Sequence, residues 1–265
     1  MKRRNRHSAF FLFDMIGAMT ELPTPNWDLL PPLSRSFVKP LLGEYHSERT
    51  ILPLFNLLLN PNSIPEVIAD TRRALETLQV NPDSAKSPRV IEGYRVLKVF
   101  FTERLQYLRD NKIVVLVYGS MRYDDPVNLD YDILCVVPSH AKEFVSTLID
   151  WMKELDHPWD SLVGYGGHLT FVGLEDIREY ATEIGNGNLE FITSNCMDIS
   201  MDMMGAAILI TGYAGFTPDP KLCAEYRQRV LELASTNAIL QASIAENLLS
   251  VLTIRQERRV RDVAT

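Results

Sequence analysis

The feature that most constrains this chain is a pair of acidic residues at the start of an apolar segment. Asp130 and Asp132 lead directly into residues 133–137, which are all apolar and typical of a buried strand. Residues two apart on a strand point to the same face, so both carboxylates are expected on one side. Two carboxylates on one face repel each other unless a cation compensates them, and such oxygens suit Mg²⁺. The pair therefore predicts a metal site; the alternative is a solvated strand start beside Asp124 and Asp125.

A second apolar segment ends at a glycine and a serine. Residues 113–118 are largely β-branched and predict another strand buried on both faces, followed at once by Gly119-Ser120. Backbone N–H groups at such a strand end can bind a phosphate, and glycine permits close approach. On its own the dipeptide is equally typical of an ordinary turn. The dipeptide becomes informative only together with Asp130, from which Ser120 is separated by nine residues.

The segment VLVYGSMRYDDPVNLDYDILCVV, residues 115–137, contains both features in order. It resembles the polymerase-beta-like nucleotidyltransferase superfamily, which includes DNA polymerase beta and the small-molecule aminoglycoside adenylyltransferases. The resemblance implies that Asp130 and Asp132 are catalytic and hold Mg²⁺, with Mn²⁺ as an alternative. It also implies that Gly119 and Ser120 bind the triphosphate, with the Ser120 hydroxyl on a terminal phosphate.

Two parts of the site stay open within this resemblance, which covers roughly residues 95–180. Arg122 lies where a cation can neutralise phosphate charge, and an exposed surface arginine is the alternative. Family members usually carry a third carboxylate on a neighbouring strand, but the predicted strand at residues 168–172 has no acid facing that way. His168 on that strand and Glu190 on a later predicted strand are the candidates, and a site with no third acid is the remaining alternative.

Helical patterns flank the predicted strands, so the predicted fold class is α+β: a small mixed nucleotidyltransferase sheet between N-terminal and C-terminal helical regions. A fourth strand is expected at residues 189–193. The predicted helices cover residues 50–59, 63–78, 89–110, 139–155 and most of the chain from residue 201 onward. The expected regions are residues 1–94 (N-terminal helical), 95–195 (nucleotidyltransferase core) and 196–265 (C-terminal helical).

The charge of the chain bears on its partners. A net charge of −7 argues against wholesale binding of nucleic acid through its phosphates. Basic residues do cluster at residues 2–6 and 255–261, so an RNA-directed transferase stays an alternative. A small molecule or a protein is the favoured acceptor.

The cysteines and the N-terminal segment bear on the compartment. Three cysteines without metal-ligand spacing predict core thiols in a reducing environment. Residues 9–19 follow basic residues and are mostly apolar, but Asp14 interrupts them and no clean cleavage site follows, so a short packed helix is expected there. The proline-rich residues 20–45 predict an irregular segment. No apolar run is long enough to span a bilayer, so we expect a cytoplasmic protein without membrane contact.

The function predicted from these features is transfer of a nucleoside monophosphate from a nucleoside triphosphate, such as ATP, to a hydroxyl of a small molecule or a protein. The alternative from another class is a catalytically silent nucleotidyltransferase fold that binds nucleotides or regulates a partner.

Overall fold

Three of the predicted apolar segments are strands in the computed structural model, which describes residues 56–125, 130–160 and 168–264, together with Leu29. The strands are β1 (Val114–Val117), β2 (Asp132–Val137) and β3 (His168–Gly173). The α-helices are α1 (Ile64–Leu78), α2 (Pro88–Thr102), α3 (Leu105–Asp110), α4 (Val145–Asp160), α5 (Leu174–Gly185), α6 (Leu189–Ser194), α7 (Cys196–Thr211), α8 (Pro220–Thr236) and α9 (Ala238–Ala264). Short 3-10 helices cover Pro61–Ser63, Gly119–Tyr123 and Ala141–Phe144.

The three strands form one mixed sheet in the order β1-β2-β3. β1 runs antiparallel to β2, and β2 runs parallel to β3 with Asp132 opposite His168. The predicted α+β class and small mixed sheet are confirmed at this level. Because β2 and β3 are parallel, both begin at the same edge of the sheet, and this edge carries the acidic pair.

Each face of the sheet is covered by helices, as the continuous apolar pattern of the strands requires. Alternate strand residues divide between two hydrophobic clusters, with Leu116, Leu134 and Val172 on one face and Val115, Cys135 and Phe171 on the other. The first face packs against α1, α5, α7, α8 and α9, and the second against α2, α3 and α4. By the same alternation, Asp132 and His168 lie on the first face.

A segment from the C-terminal half covers the free edge of β1. Val117 and Tyr213 exchange backbone hydrogen bonds of 2.9 Å each. The Thr217 hydroxyl accepts from the N–H of Val115 at 2.9 Å and donates to its carbonyl at 3.0 Å. These bonds pair backbone N–H and carbonyl groups of β1 that could otherwise form hydrogen bonds with a strand of another molecule.

The predicted helix at residues 89–110 is two helices, α2 and α3. The chain leaves helical geometry at Arg104, which has φ −109° and ψ 6°. Its guanidinium lies 3.6 Å from the centroid of the Phe100 ring and also binds Glu154 of α4. The apolar spacing continues across the break, so the periodicity alone did not reveal it.

The predicted fourth strand at residues 189–193 is wrong, because these residues form helix α6. The side chain of Asn188 accepts a hydrogen bond from the N–H of Phe191 at 3.2 Å and thereby caps the helix. A run of five residues is too short for its apolar pattern to separate a strand from a helix.

The remaining predictions have mixed outcomes. The helix at residues 63–78 is confirmed as α1, which begins at Ile64; the Ser63 hydroxyl donates to the Asn60 carbonyl. The helix at residues 139–155 begins as the 3-10 helix Ala141–Phe144 and continues as α4. The C-terminal region is helical as predicted, and α7 begins at Cys196. Cys135 and Cys223 are buried, as expected for core thiols.

Other predictions fall partly or wholly outside the described residues. Residues 56–59 are helical, and the rest of the helix predicted at 50–59 lies outside the described ranges, as do residues 9–19 and, apart from Leu29, residues 20–45. The division at residues 94 and 195 stays a prediction; α1 packs against α9. Among the helices that the structure describes, none combines the length and apolarity needed to cross a membrane.

Candidate metal centre

The acidic pair meets a histidine at the edge where β2 and β3 begin. The Nδ1 atom of His168 lies 3.5 Å from Oδ1 of Asp132 and 3.7 Å from Oδ2 of Asp130. One ligand atom from each of the three side chains lies within 4.8 Å of the other two. Of the two candidates for the third position, the structure therefore brings His168 to the pair, whereas Glu190 is exposed on α6.

Backbone hydrogen bonds on both sides of β2 hold these side chains together. The N–H of Tyr118 donates to the Asp132 carbonyl at 3.0 Å, and the N–H of His168 donates to the Tyr131 carbonyl at 2.5 Å. Because Asp132 and His168 are partners in a parallel ladder, their side chains lie on the same face. The two strands thus hold the imidazole beside the carboxylates.

Gly119 and Ser120 are in direct contact with the acidic pair. The Ser120 hydroxyl donates to Oδ1 of Asp130 at 2.9 Å. Gly119 has φ +65°, and a Cβ at this position would overlap the carboxylate of Asp132. Glycine is therefore required here both by its backbone conformation and by the approach of Asp132. Gly119-Ser120 and the two aspartates, which are separated in sequence, are therefore in contact in the structure.

The three side chains differ in burial. Only 7% of the Asp132 side chain is exposed, compared with 29% for Asp130 and 39% for His168. Burial raises the pKa of Asp132 to about 6, and the charge of Asp130 adds to the effect while His168 opposes it. Burial also acts to raise the pKa of Asp130, but contacts with His168 and Ser120 outweigh it and hold that pKa below its ordinary value.

His168 carries the compensating charge within this group. The two adjacent carboxylates, Asp130 first, raise the pKa of His168 to about 10, although partial burial opposes them. Its contacts, at 3.5 and 3.7 Å, are ion pairs at the long limit of hydrogen bonding. A protonated imidazole can thus supply the positive charge that the two neighbouring carboxylates require.

The donor set fits a divalent cation. Two carboxylates and one imidazole converge within 4.8 Å, and the most buried of them, Asp132, needs a positive partner. Carboxylate oxygens bind Mg²⁺ and Mn²⁺, and an imidazole nitrogen is a common ligand of first-row transition metals.

Tyr118 is a neighbour of the pair that sequence reasoning missed. Burial raises the pKa of its phenol well above the ordinary value, and the charges of Asp132 and Asp130 act in the same direction. The phenol is therefore a neutral group beside two carboxylates. Its position immediately before Gly119 was the available signal.

Arg122 lies next to the motif but faces the protein interior. Its guanidinium donates to the Val80 carbonyl and, at 2.7 Å, to the side-chain oxygen of Gln79. It also lies 5.4 Å from the ring centroid of Tyr213. The exposed-arginine alternative is wrong, because the residue is only 9% exposed. These contacts anchor the 3-10 helix Gly119–Tyr123 to the connection between α1 and α2, and phosphate binding by Arg122 stays a prediction.

Helix α9 contacts the end of the 3-10 helix Gly119–Tyr123 and the residues that follow it. Arg255 of α9 lies 3.2 Å from Asp125, and the two side chains are only 11% and 15% exposed. The guanidinium also lies 4.4 Å from the ring centroid of Tyr123. At least this member of the basic cluster at residues 255–261 is engaged within the fold and is not a solvated contact for RNA.

A second group of metal-ligand side chains, His140, Asp176 and Glu179, has a structural explanation. Asp176 contacts the His140 ring at 2.5 Å and accepts from the N–H of Ala141 at 2.7 Å. These bonds tie the connection between β2 and α4 to the first turn of α5. The carboxylate of Asp176 is thereby used in joining two elements.

Comparison of the chain with protein-family models, with curated proteins and with solved structures gave no match. The resemblance to polymerase-beta-like nucleotidyltransferases therefore rests on the sequence of residues 115–137 alone.

Proposed function

We propose that this protein is a nucleotidyltransferase that moves a nucleoside monophosphate from a nucleoside triphosphate to a hydroxyl of a small molecule or a protein. The observation that carries the proposal is the contact of Gly119-Ser120 with Asp130 and Asp132 at one edge of the sheet. A turn that can bind phosphate and a pair that can bind a metal ion thus share one location. That combination is the chemistry that a bound metal triphosphate requires.

The residues of the site have distinct tasks in this proposal. Asp130 and Asp132 hold the divalent ion, and the Ser120 hydroxyl exchanges its bond to Asp130 for one to a phosphate oxygen. When bound, Mg²⁺ or Mn²⁺ stabilises negative charge on the triphosphate. The acceptor oxygen forms a bond to the α-phosphorus, the bond from that phosphorus to the bridging oxygen breaks, and pyrophosphate leaves. The proton of the acceptor hydroxyl passes to water.

The charge distribution supports a small molecule or a protein as acceptor. The net charge of −7 opposes the approach of a polynucleotide. The ion pair of Arg255 with Asp125 also removes one cation from the basic cluster on which an RNA-directed function depends. Strongly salt-dependent RNA binding, abolished by deletion of residues 1–6 or by charge reversal at residues 258–261, would instead favour an RNA substrate.

The direct test is release of pyrophosphate. The purified protein is incubated with each of the four nucleoside triphosphates, with Mg²⁺ or Mn²⁺, and with a panel of hydroxyl-bearing small molecules and proteins. We expect turnover with at least one combination and its loss in Asp130→Asn and Asp132→Asn. Asp150→Asn is the matched control, because this exposed aspartate of α4 lies outside the site. If the double variant Asp130→Asn/Asp132→Asn still bound a metal triphosphate normally, the site assignment would be wrong.

A catalytically silent, nucleotide-binding protein is the second candidate, and one observation favours it. The position where the resemblance implies a third carboxylate holds His168, which pairs with both aspartates. Calorimetry separates the two candidates. Binding of ATP that depends on a divalent ion, without pyrophosphate release from any acceptor, would support the silent fold.

A further inference from the structure

We propose that His168 is itself a ligand of the metal ion and that the site holds one first-row transition-metal ion, such as Mn²⁺, in preference to Mg²⁺. The inference deepens the proposed function and rests on it only in placing a divalent ion at Asp130 and Asp132. It concerns the identity of the ion and the number of ions that the protein holds.

The distances within the group fit a shared ion. Ligand atoms lie about 2.1 Å from such an ion, so two adjacent ligands are about 3.0 Å apart at the roughly 90° angle of an octahedral site and about 3.4 Å apart at a tetrahedral angle of roughly 110°. The Nδ1 atom of His168 lies 3.5 Å and 3.7 Å from the nearest oxygens of Asp132 and Asp130. All three ligand atoms lie within 4.8 Å of one another, so one ion can bind them after small side-chain shifts and without a change of strand register.

The direction of the imidazole suits a metal ligand. The Nδ1 atom of His168 faces both carboxylates, and the pairing of Asp132 with His168 across the parallel strands holds it there. The same geometry places the nitrogen where an ion between the carboxylates would be.

The charge of the group sets the number of ions. Three carboxylates would carry a charge of about −3, whereas Asp130 and Asp132 carry about −2 once a bound ion has displaced the proton of the His168 imidazole into solvent. A single divalent cation neutralises this charge in a site whose central carboxylate, Asp132, is buried. A second protein-held cation would leave a net positive charge there.

The chemistry of the nitrogen ligand sets the preference among ions. Mg²⁺ favours oxygen ligands and loses its water reluctantly, whereas imidazole suits first-row ions such as Fe²⁺ and Zn²⁺, with Mn²⁺ at the weakly binding end of that series. Replacing one carboxylate of an all-oxygen site with His168 therefore weakens Mg²⁺ binding more than Mn²⁺ binding. Mn²⁺ is the best probe because it also accepts the two carboxylates and is paramagnetic.

The experiment measures metal binding to the full chain without nucleotide, after treatment with a chelator. Calorimetry with MnCl₂ and MgCl₂ is expected to show one site that binds Mn²⁺ about tenfold or more tightly than Mg²⁺. Pulsed electron paramagnetic resonance of the Mn²⁺ complex is expected to show coupling to a ¹⁴N nucleus, with the ¹⁵N pattern appearing after labelling of histidine. The spectrum of the wild-type protein alone decides whether a nitrogen ligand is present, even if a variant fails to fold.

Three variants assign the nitrogen. His168→Gln is expected to lose the nitrogen coupling, and His168→Asp is expected to lower the preference for Mn²⁺ over Mg²⁺ by about tenfold by restoring an oxygen ligand. His140→Gln is the matched control, because His140 also lies against an aspartate, at 2.5 Å from Asp176. Loss of the coupling in His140→Gln instead of His168→Gln would place the ion at the other group and overturn the inference.

The outcomes separate this inference from the proposed function. Mn²⁺ held by His168 without pyrophosphate release would leave the inference standing and refute the enzyme. Pyrophosphate release by a protein whose Mn²⁺ complex shows no nitrogen coupling would support the enzyme and overturn the inference. Equal affinity for Mn²⁺ and Mg²⁺, or no Mn²⁺ binding at all, would overturn the inference.

Discussion

Gly119 and Asp132 approach so closely that the glycine has no room for a side chain. A Cβ at position 119 would overlap the carboxylate of Asp132, and the backbone of Gly119 has φ +65°. The first residue of the phosphate-binding turn and the most buried acid of the pair therefore constrain each other. The geometry of the metal site depends on this contact as well as on the strands.

Gly119→Ala should consequently damage the metal site more than backbone strain alone would. The positive φ costs about 1–2 kcal/mol for a residue with a Cβ, and the overlap has to displace Asp132 in addition. We expect Mn²⁺ affinity to fall by at least about tenfold, as measured by calorimetry. Gly187→Ala is the matched control, because Gly187 has φ +70° at the end of α5, outside the site. Equal loss of Mn²⁺ affinity in both variants would show that strain, and not the contact with Asp132, is responsible.

Ser120→Ala removes the hydroxyl that donates to Asp130. Loss of this bond should destabilise the protein by about 1 kcal/mol, which urea denaturation can measure. The affinity for a metal triphosphate should fall as well, because the same hydroxyl is proposed to bind a phosphate. Ser120→Thr keeps the hydroxyl and is expected to retain most of both properties. Unchanged ATP affinity in Ser120→Ala would remove Ser120 from the phosphate site.

The sheet and the acidic pair were predictable because their signals are local. Residues 113–118 and 130–137 are apolar over several positions, which predicts two strands. The predicted start at Asp130 is two residues early, because β2 begins at Asp132 and Asp130 precedes the strand. The third member of the site was not predictable in this way. Its identity depends on the register that pairs Asp132 with His168, and no pattern within either strand sets that register.

Contacts between distant residues explain the other differences. The sequence gives no sign that Arg122 is buried, but Gln79 and Val80 from the α1–α2 connection accept its hydrogen bonds. Arg255 reads as part of a solvated basic end, yet α9 brings it to Asp125 across 130 positions of the chain. Charged residues carry no local signal that separates burial against a distant partner from exposure.

The Arg255–Asp125 pair should contribute measurably to stability. Breaking an ion pair that is largely buried costs up to about 3–5 kcal/mol, so Arg255→Met is expected to lower the free energy of unfolding by at least about 1 kcal/mol. A double-mutant cycle with Asp125→Asn should show a coupling energy of at least about 1 kcal/mol. The control is Arg73→Met, because Arg73 and Asp70 form an ion pair with 77% and 62% of their side chains exposed. A coupling energy near zero would mean that the pair does not hold the loop to α9.

Glu246 should make the stability of the protein depend on pH. It is 7% exposed on α9, and burial raises its pKa to about 7 from the ordinary value of 4.5, with a bond from Ser250 opposing the effect. The folded state therefore binds this proton more tightly, so stability is highest below about pH 4.5 with respect to this group and falls until about pH 7. Glu246→Gln should abolish that fall and raise the free energy of unfolding at pH 8 by up to about 3 kcal/mol. Urea denaturation between pH 5 and pH 8 measures both effects, with the exposed Glu232→Gln on α8 as control. Parallel pH profiles of Glu246→Gln and the wild-type protein would show that Glu246 is not the group responsible.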